Sequence, residues 1–149
     1  MQLFAETART MAGGKPALCT LGETCGRVLV AEEDGSVYAC DHFVDRGHRL
    51  GSFMEEELRA LANSAAQLQF GLDKRDTLTR QCRECPYLKL CGGGCMKDRD
   101  GVSRDGEPGQ YALCEGLKLF YAHAQEPLER MMRWSRQGLS PDEMMRKWK

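Results

Sequence analysis

The sequence predicts an α+β fold in which a small β-hairpin and cysteine-rich loops pack with several α-helices. Three observations predict it: two β-branched and aromatic runs separated by a turn, helical spacing of apolar residues elsewhere, and eight cysteines set among glycine and proline. A chain of 149 residues is typically one domain, or a domain with extensions.

The hairpin is predicted over about residues 27–40, where RVLVA meets SVYAC. Asp34-Gly35 supplies the turn, since glycine readily adopts positive φ. The second strand ends at Cys40, so the open end of the hairpin would bring Cys25 and Cys40 together.

Apolar spacing predicts a helix over residues 2–12, ended by the glycines and proline that follow. A second helix is predicted to begin at Ser52, which forms a capping box with Glu55, and to end at Gly71. The apolar stripe of this second helix is Leu58, Leu61, Ala65 and Leu68.

Loops with short turns are predicted over 80–94, and a surface loop over 98–110. A helix follows over about 113–124, and Pro127 should kink it or start a new segment. Ser140 and Glu143 repeat the capping signature, with Pro141 at the first helical position, which predicts a short last helix.

Charge and hydropathy exclude several partners and compartments. The net charge of −1 and the pI near 6.3 give no electrostatic argument for nucleic acid or an anionic membrane. No apolar run reaches the length of a membrane span, and the first residues lack the pattern of a secretory signal. A reducing, cytoplasmic location is therefore expected, in which four structural disulfides are disfavoured.

The cysteines fall in two dense groups with a terminal one beyond them, and 41 cysteine-free residues separate the groups. Four thiolates within the second group indicate zinc or iron–sulfur. The glycines of CGGGC, whose backbone can approach a bulky cluster, and Pro86 directly after a cysteine favour iron–sulfur. Eight cysteines would fill two [4Fe–4S] clusters or two zinc sites. The cysteines are Cys19, Cys25, Cys40, Cys82, Cys85, Cys91, Cys95 and Cys114.

The spacing Cys25-x9-Gly35-x4-Cys40, then Cys82-x2-Cys85-x5-Cys91-x3-Cys95, then Cys114 resembles the seven-cysteine signature of the SPASM domain. This domain is the C-terminal extension of peptide-modifying radical S-adenosylmethionine (SAM) enzymes. Cys19 and the stretches ETCGRVLVAEEDGSVYACDHFV and CEGLKLFYAH resemble the anaerobic sulfatase-maturating enzymes in particular. The resemblance covers about residues 15–125.

The resemblance implies two auxiliary [4Fe–4S] clusters with crossed ligand sets. The first set would be Cys19, Cys25, Cys40 and Cys95, and the second Cys82, Cys85, Cys91 and Cys114. It also implies that Asp41 is the general base that takes a proton from a substrate Cys or Ser. His42 and His48 are nearby alternatives, whereas His123 lies in a helical stretch.

The resemblance further implies three parts. Residues 1–18 would be a helix and linker left from a missing catalytic barrel, residues 19–125 the SPASM-type domain, and residues 126–149 a helical tail. The CxxxCxxC motif that binds SAM is absent, because Asp98 stands where Cys91-x3-Cys95 would be completed. SAM would bind only in the full-length parent, and this chain alone should not catalyse formylglycine formation.

Three hypotheses remain from the sequence. The chain is a module that carries electron-transfer clusters and positions a sulfatase peptide, or a zinc-stabilised structural or interaction domain. Alternatively, it is an enzyme half whose radical SAM barrel, normally in cis, is supplied in trans.

Overall fold

The computed structural model describes residues 2–26 and 28–148, and over these residues the predicted α+β class is confirmed. The helices are α1 (Gln2–Met11), α2 (Leu58–Ala62), α3 (Ala65–Asp76), α4 (Arg80–Arg83), α5 (Leu88–Cys91), α6 (Cys114–Arg136) and α7 (Pro141–Lys147). The strands are β1 (Val30–Ala31), β2 (Ser36–Tyr38), β3 (Arg49–Ser52), β4 (Gly101–Val102) and β5 (Pro108–Gln110).

The predicted hairpin is formed by β1 and β2, which pair antiparallel with Val30 opposite Tyr38. Gly35 has a φ of 83°, as the turn requires. The predicted first position of the hairpin, Arg27, lies outside the described residues. The strand β3 adds to the free edge of β2 and makes a sheet of order β1-β2-β3.

The helix predicted from Ser52 to Gly71 is wrong at both ends. Ser52 is the last residue of β3, and its hydroxyl accepts from the backbone N–H of Met54 in a turn instead of capping a helix. The helical stretch is broken into α2 and α3, and Ser64 caps α3 by accepting from the backbone N–H of Gln67. Gly71 lies inside α3 and does not end it.

The two predicted loops contain more regular structure than expected. The short helices α4 and α5 carry residues of the 80–94 stretch, and β4 and β5 form a small antiparallel sheet within 98–110. Gly106, with a φ of 84°, lies in the turn between these strands. Elements this short have too few residues to show a hydropathy period.

The first and last helices are confirmed, and the break at Pro127 is not found. At α7, Ser140 and Glu143 make both hydrogen bonds of the capping box. The helix α6 runs through Pro127 without ending. Its neighbours Ala124 and Leu128 are buried, so packing of this face offsets the loss of one backbone hydrogen bond.

The core draws its buried residues from the β1-β2-β3 sheet, α2, α3 and α6, among others, and it includes polar side chains. Val37, Leu61 and Tyr121 are almost fully buried, and so are Gln67 and Lys74 of α3. Phe4 of α1 packs edge-on against Phe120 of α6, with ring centroids 5.2 Å apart. No helix in the described part of the chain combines the length and apolar character needed to cross a membrane.

Candidate metal centres

All eight cysteines are unpaired thiols, and most stand at the ends of regular elements. Cys19 begins a 3₁₀ turn, Cys40 follows β2, Cys91 ends α5 and Cys114 begins α6. Cys82 and Cys95 are buried, whereas Cys19 is exposed. A thiol at an element terminus is positioned by the backbone hydrogen bonds of that element, so the fold presents these thiols in fixed places.

Four thiols line one small cavity, those of Cys82, Cys85, Cys91 and Cys114. Its other walls are mostly tyrosine, leucine and glycine, and the described lining contains no carboxylate. Burial raises the pKa of Tyr121, whose hydroxyl donates to the Leu90 carbonyl. Lys118 also lines it, and soft sulfur donors without carboxylates fit an iron–sulfur cluster better than a hard cation such as magnesium.

Two glutamines present amide groups to thiols of this cavity. The Nε2 of Gln110 lies 3.5 Å from the Cys82 Sγ, and the Nε2 of Gln81 lies 3.8 Å from the Cys114 Sγ. The opposite amide oxygens are occupied: Thr79 Oγ1 donates to Gln110 Oε1 at 2.7 Å, and the Arg104 N–H donates to Gln81 Oε1 at 2.7 Å. The Cys82 thiol also donates to Gln110 Oε1 at 3.7 Å, so Gln81 alone of the two presents only its donor end to sulfur.

The remaining thiols approach one another at the other side of the CGGGC loop. Burial raises the pKa of Cys25, and the nearby thiols of Cys95 and Cys19 act in the same direction. Burial also raises the pKa of Cys40 to about 11. His42 Nδ1 lies 3.4 Å from Cys95 Sγ, although 53 residues separate them in the chain.

The helix α3 makes polar contacts that hold the loops carrying the candidate ligands Cys19, Cys25 and Cys40. The ammonium of Lys74 donates to the carbonyls of Cys19, Thr20 and Gly22 at 2.6, 3.0 and 2.6 Å. Gln67 Nε2 donates to the carbonyls of Gly26 and Ala39, at 3.3 and 3.2 Å. One helix face therefore fixes the chain on both sides of Cys25 and immediately before Cys40.

Gly71 completes this face, because its carbonyl accepts from the Cys25 backbone N–H at 3.0 Å. A Cβ at residue 71 would lie 2.9 Å from the Cys25 carbonyl oxygen, closer than real Cβ contacts. The position therefore needs glycine because of close approach, not because of backbone conformation.

The CGGGC loop is left-handed throughout, with φ of 58°, 75° and 69° at Gly92, Gly93 and Gly94. A Cβ on Gly92 would overlap the backbone of the Cys19 loop, and one on Gly94 would overlap the Tyr111 ring. Two distant segments thus close against this loop, which connects Cys91 to Cys95.

The predicted base, Asp41, is exposed, and the Cys40 thiol donates to its Oδ1 at 3.2 Å. This hydrogen bond holds the pKa of Asp41 below its ordinary value. The two histidines named beside it separate: His42 meets Cys95, whereas His48 pairs with Asp45 and packs against Phe43. His123 lies on α6 and is exposed.

In the described residues, no three cysteine, histidine or carboxylate side chains converge around one ion position. A four-iron cluster requires less convergence, because each thiolate binds a different iron atom. The residues that sequence reasoning missed are Gln67, Lys74, Gln81, Arg99 and Gln110, all polar. None of them belongs to a recognisable motif, so no sequence signal marked them.

Comparison with known families matches part of this chain to an iron–sulfur domain. Residues 19–86 match the SPASM family, described as an iron–sulfur cluster-binding domain. The serine-type anaerobic sulfatase-maturating enzyme of Bacteroides thetaiotaomicron is 34% identical over 98% of this chain and 35% of its own length. The cysteine-type enzyme of Clostridium perfringens is 30% identical over 83% of this chain and 33% of its own.

A solved structure, native anSMEcpe with bound AdoMet and Kp18Cys peptide, superposes with a TM-score of 0.73 at 28% identity. The superposition covers 87% of this chain and 35% of that one. This chain thus spans about a third of the length of these curated and solved relatives.

Proposed function

We propose that this chain, a SPASM iron–sulfur cluster-binding domain of the anaerobic sulfatase-maturating kind, holds two [4Fe–4S] clusters within a larger radical SAM enzyme. The observation that carries the proposal is the cavity lined by four thiols, with the remaining thiols gathered across the CGGGC loop. When bound, such clusters would supply one-electron transfer. The location we assign is the reducing cytoplasm, because cluster thiolates must remain unoxidised.

The proposed ligand sets are crossed. Cys82, Cys85, Cys91 and Cys114 share the cavity, which supports one set. Cys25 interacts with Cys95 and Cys19, and Cys40 interacts with Cys25, which supports the other. Cys91 and Cys95, four residues apart, therefore serve different sites.

We assign to the parent enzyme the oxidation of a sulfatase Cys or Ser to formylglycine, with the radical SAM barrel supplied in cis or in trans. A peptide substrate is supported by the solved neighbour that holds the Kp18Cys peptide. SAM would bind to the barrel, as the AdoMet-bound neighbour suggests. This chain would then contribute the clusters and part of the surface that positions the peptide.

Asp41 is the proton acceptor we propose for the substrate side chain. An aspartate carboxylate is ionised at neutral pH, and the exposure of Asp41 makes it accessible to a peptide. The Cys40 thiol now donates to Oδ1. Iron ligation removes that thiol proton, which frees the oxygen to accept one from the substrate.

The test is metal analysis of the full chain after anaerobic reconstitution. Two [4Fe–4S] clusters require about eight irons and about eight sulfides per chain. Two zinc ions without sulfide, in protein kept anaerobic throughout, would contradict the proposal and support the zinc-stabilised domain.

Crossing of the ligand sets is tested with paired variants. Cys95→Ser should leave the same electron paramagnetic resonance (EPR) signal as Cys25→Ser, because both lose the same cluster. Cys91→Ser should instead match Cys82→Ser. If Cys95→Ser and Cys91→Ser leave the same signal, or iron content does not change, the crossed assignment is wrong.

A further inference from the structure

Arg99 lies between the two groups of thiols and has an unused donor. Its Nε donates to the Gly93 carbonyl at 3.0 Å, and its Nη1 donates to Thr77 Oγ1 at 3.2 Å. Its Nη2 is buried and has no hydrogen-bond partner among the described residues. A buried guanidinium nitrogen without an acceptor is costly, which points to an acceptor supplied by a bound group.

The charge environment of Arg99 spans both proposed ligand sets. Burial lowers the pKa of Arg99, while Cys82 and Cys91 of one set and Cys25 and Cys95 of the other raise it. The guanidinium nevertheless remains protonated, as arginine does in proteins.

Lys74 is the informative contrast, because it is also a cation in this region. The thiols that act on Lys74 are Cys25, Cys19 and Cys95, all from one proposed set. Its ammonium has three N–H groups and already donates to three carbonyls. Lys74 therefore anchors one loop, whereas Arg99 faces both sites and keeps one N–H donor free.

We propose that Arg99 is a cation shared by the two cluster sites, with Nη2 donating to a sulfur of a bound cluster, and that it raises the reduction potential at both sites. This inference rests on the proposed function. A cluster gains negative charge on reduction, so a nearby positive charge stabilises its reduced form. Partial burial limits the screening of that charge by solvent.

The structure supports the anchoring on which this role depends. The Gly93 carbonyl that binds Arg99 belongs to the loop joining Cys91 to Cys95. A Cβ at residue 93 would crowd the Leu78 side chain and lie 2.8 Å from Nη2, so glycine lets the guanidinium pack closely here. The side chain is thus held at the connection between the two sites.

The experiment uses the full chain, reconstituted anaerobically, in the wild-type, Arg99→Met, Arg99→Lys, Gln81→Leu and Arg133→Met forms. Iron and sulfide are counted first; if the wild type does not hold two clusters, the proposed function fails, independently of Arg99. Potentiometric titration followed by EPR then gives the potential of each cluster. Arg99→Met should shift both potentials negative with iron content unchanged.

The other variants define what that shift means. Arg133 is exposed on α6, about 28 Å along the helix axis from Cys114, so Arg133→Met removes a charge without shifting either potential. Gln81→Leu removes a donor near one thiol and should shift one potential only. Arg99→Lys keeps the charge but loses the buried donor, and should shift both potentials by a smaller amount.

Unchanged potentials in a loaded Arg99→Met protein, or a shift at one cluster alone, would overturn the proposal. If Arg99→Met does not load, Arg99→Lys decides, and wild-type potentials in that variant overturn the proposal equally. Failure of both variants to load would mark Arg99 as a structural residue and not a shared electrostatic one.

Discussion

The ammonium group of Lys74 donates several hydrogen bonds from one side chain. It satisfies three carbonyls of the turn that carries Cys19, and the side chain is fully buried. Because all its donors are used, the buried charge is compensated locally. The placement of Cys19, which is itself exposed, thus depends on a lysine 55 residues later.

Lys74→Met should therefore detach this turn from α3. The variant keeps most of the length of the side chain but leaves the carbonyls without their donor, at a cost of about 3 kcal/mol or more. We expect a lower thermal midpoint and loss of the cluster assigned to the Cys19 set, measured by iron content and EPR. Lys89→Met, an exposed lysine on α5, is the control and should retain both. Full iron loading of Lys74→Met would show that the turn is held by other contacts.

The proposed role of Asp41 as a proton acceptor leads to a prediction for the complete enzyme, with its barrel present. Asp41→Asn should reduce formylglycine formation by about 10²-fold or more, since asparagine cannot accept the proton. Both clusters should remain loaded, which iron analysis checks. Asp45→Asn is the matched control, because asparagine can still accept from the Gly47 N–H that Asp45 caps. Normal turnover of Asp41→Asn would remove Asp41 from the mechanism.

At the residue scale, the sequence allows predictions for residues that form a motif but not for those that contact them. The eight cysteines and Asp41 follow a spacing that can be compared with a family. Gln67 and Lys74 contact backbone carbonyls, and any carbonyl can accept such a bond. Their partners are therefore set by tertiary structure alone, and one sequence contains no sign of them.

Among the elements, α3 shows how a helix can be essential while its hydropathy pattern misleads. Its buried residues are Gln67, Phe70, Gly71 and Lys74, which lie at helical spacing but are mostly not apolar. The predicted stripe used Leu68 instead, which is exposed. The Ser52 and Glu55 pair fits a capping box equally well in sequence, but β2 offers Ser52 a strand partner. The pairing of Ser52 with β2 therefore prevails over the helix cap.

Two glycines in helices give opposite predictions for the same substitution. Glycine to alanine in a helix interior ordinarily stabilises by about 1 kcal/mol. Gly116→Ala, in the first turn of α6, should show part of this gain, because nothing lies within 4 Å of its added Cβ. Gly71→Ala should destabilise, since its Cβ would press on the Cys25 carbonyl.

The two variants are compared by thermal unfolding and iron content under anaerobic conditions. The Gly71→Ala protein should also lose iron from the set that contains Cys25, whereas Gly116→Ala should load normally. Equal stabilisation by both variants would mean that α3 does not press closely on the Cys25 segment.

The whole molecule divides into a region organised by thiols and a helical extension without them. Trp134 of α6 and Trp148, after α7, pack edge-to-face with ring centroids 5.7 Å apart, and Arg130 lies over the Trp148 ring. These are the two tryptophans of the chain, and no cysteine follows Cys114. Tryptophan fluorescence therefore reports on the extension, and amide exchange can report on the remainder.

Removal of iron by an anaerobic chelator should unfold the region between Cys19 and Cys114, because each cluster would connect distant segments. We expect loss of amide protection in the β1-β2-β3 sheet, while the tryptophan emission maximum changes little. Chelator already saturated with iron serves as the control. A shift of tryptophan emission in step with the loss of amide protection would show that the extension and the cluster region unfold as one unit.

The class and the order of the main elements could be predicted at this scale, and so could the hairpin that carries Cys40 toward Cys25. The sequence did not predict the strand β3, the small second sheet or the continuity of α6 through Pro127. Each depends on a partner distant in sequence, whether a sheet edge or a packed helix face. Short elements that owe their stability to neighbours leave little periodicity in the chain.

The left-handed CGGGC loop has a consequence for the movement of electrons. Four residues can span at most about 14 Å, so Cys91 and Cys95 are covalently held within that distance. If they ligate different clusters, an electron can tunnel between the sites along a short bonded path, without a diffusing carrier. Since side chains on these glycines would collide with the surrounding segments, close packing fixes the conformation of the loop and so the distance between the two thiols.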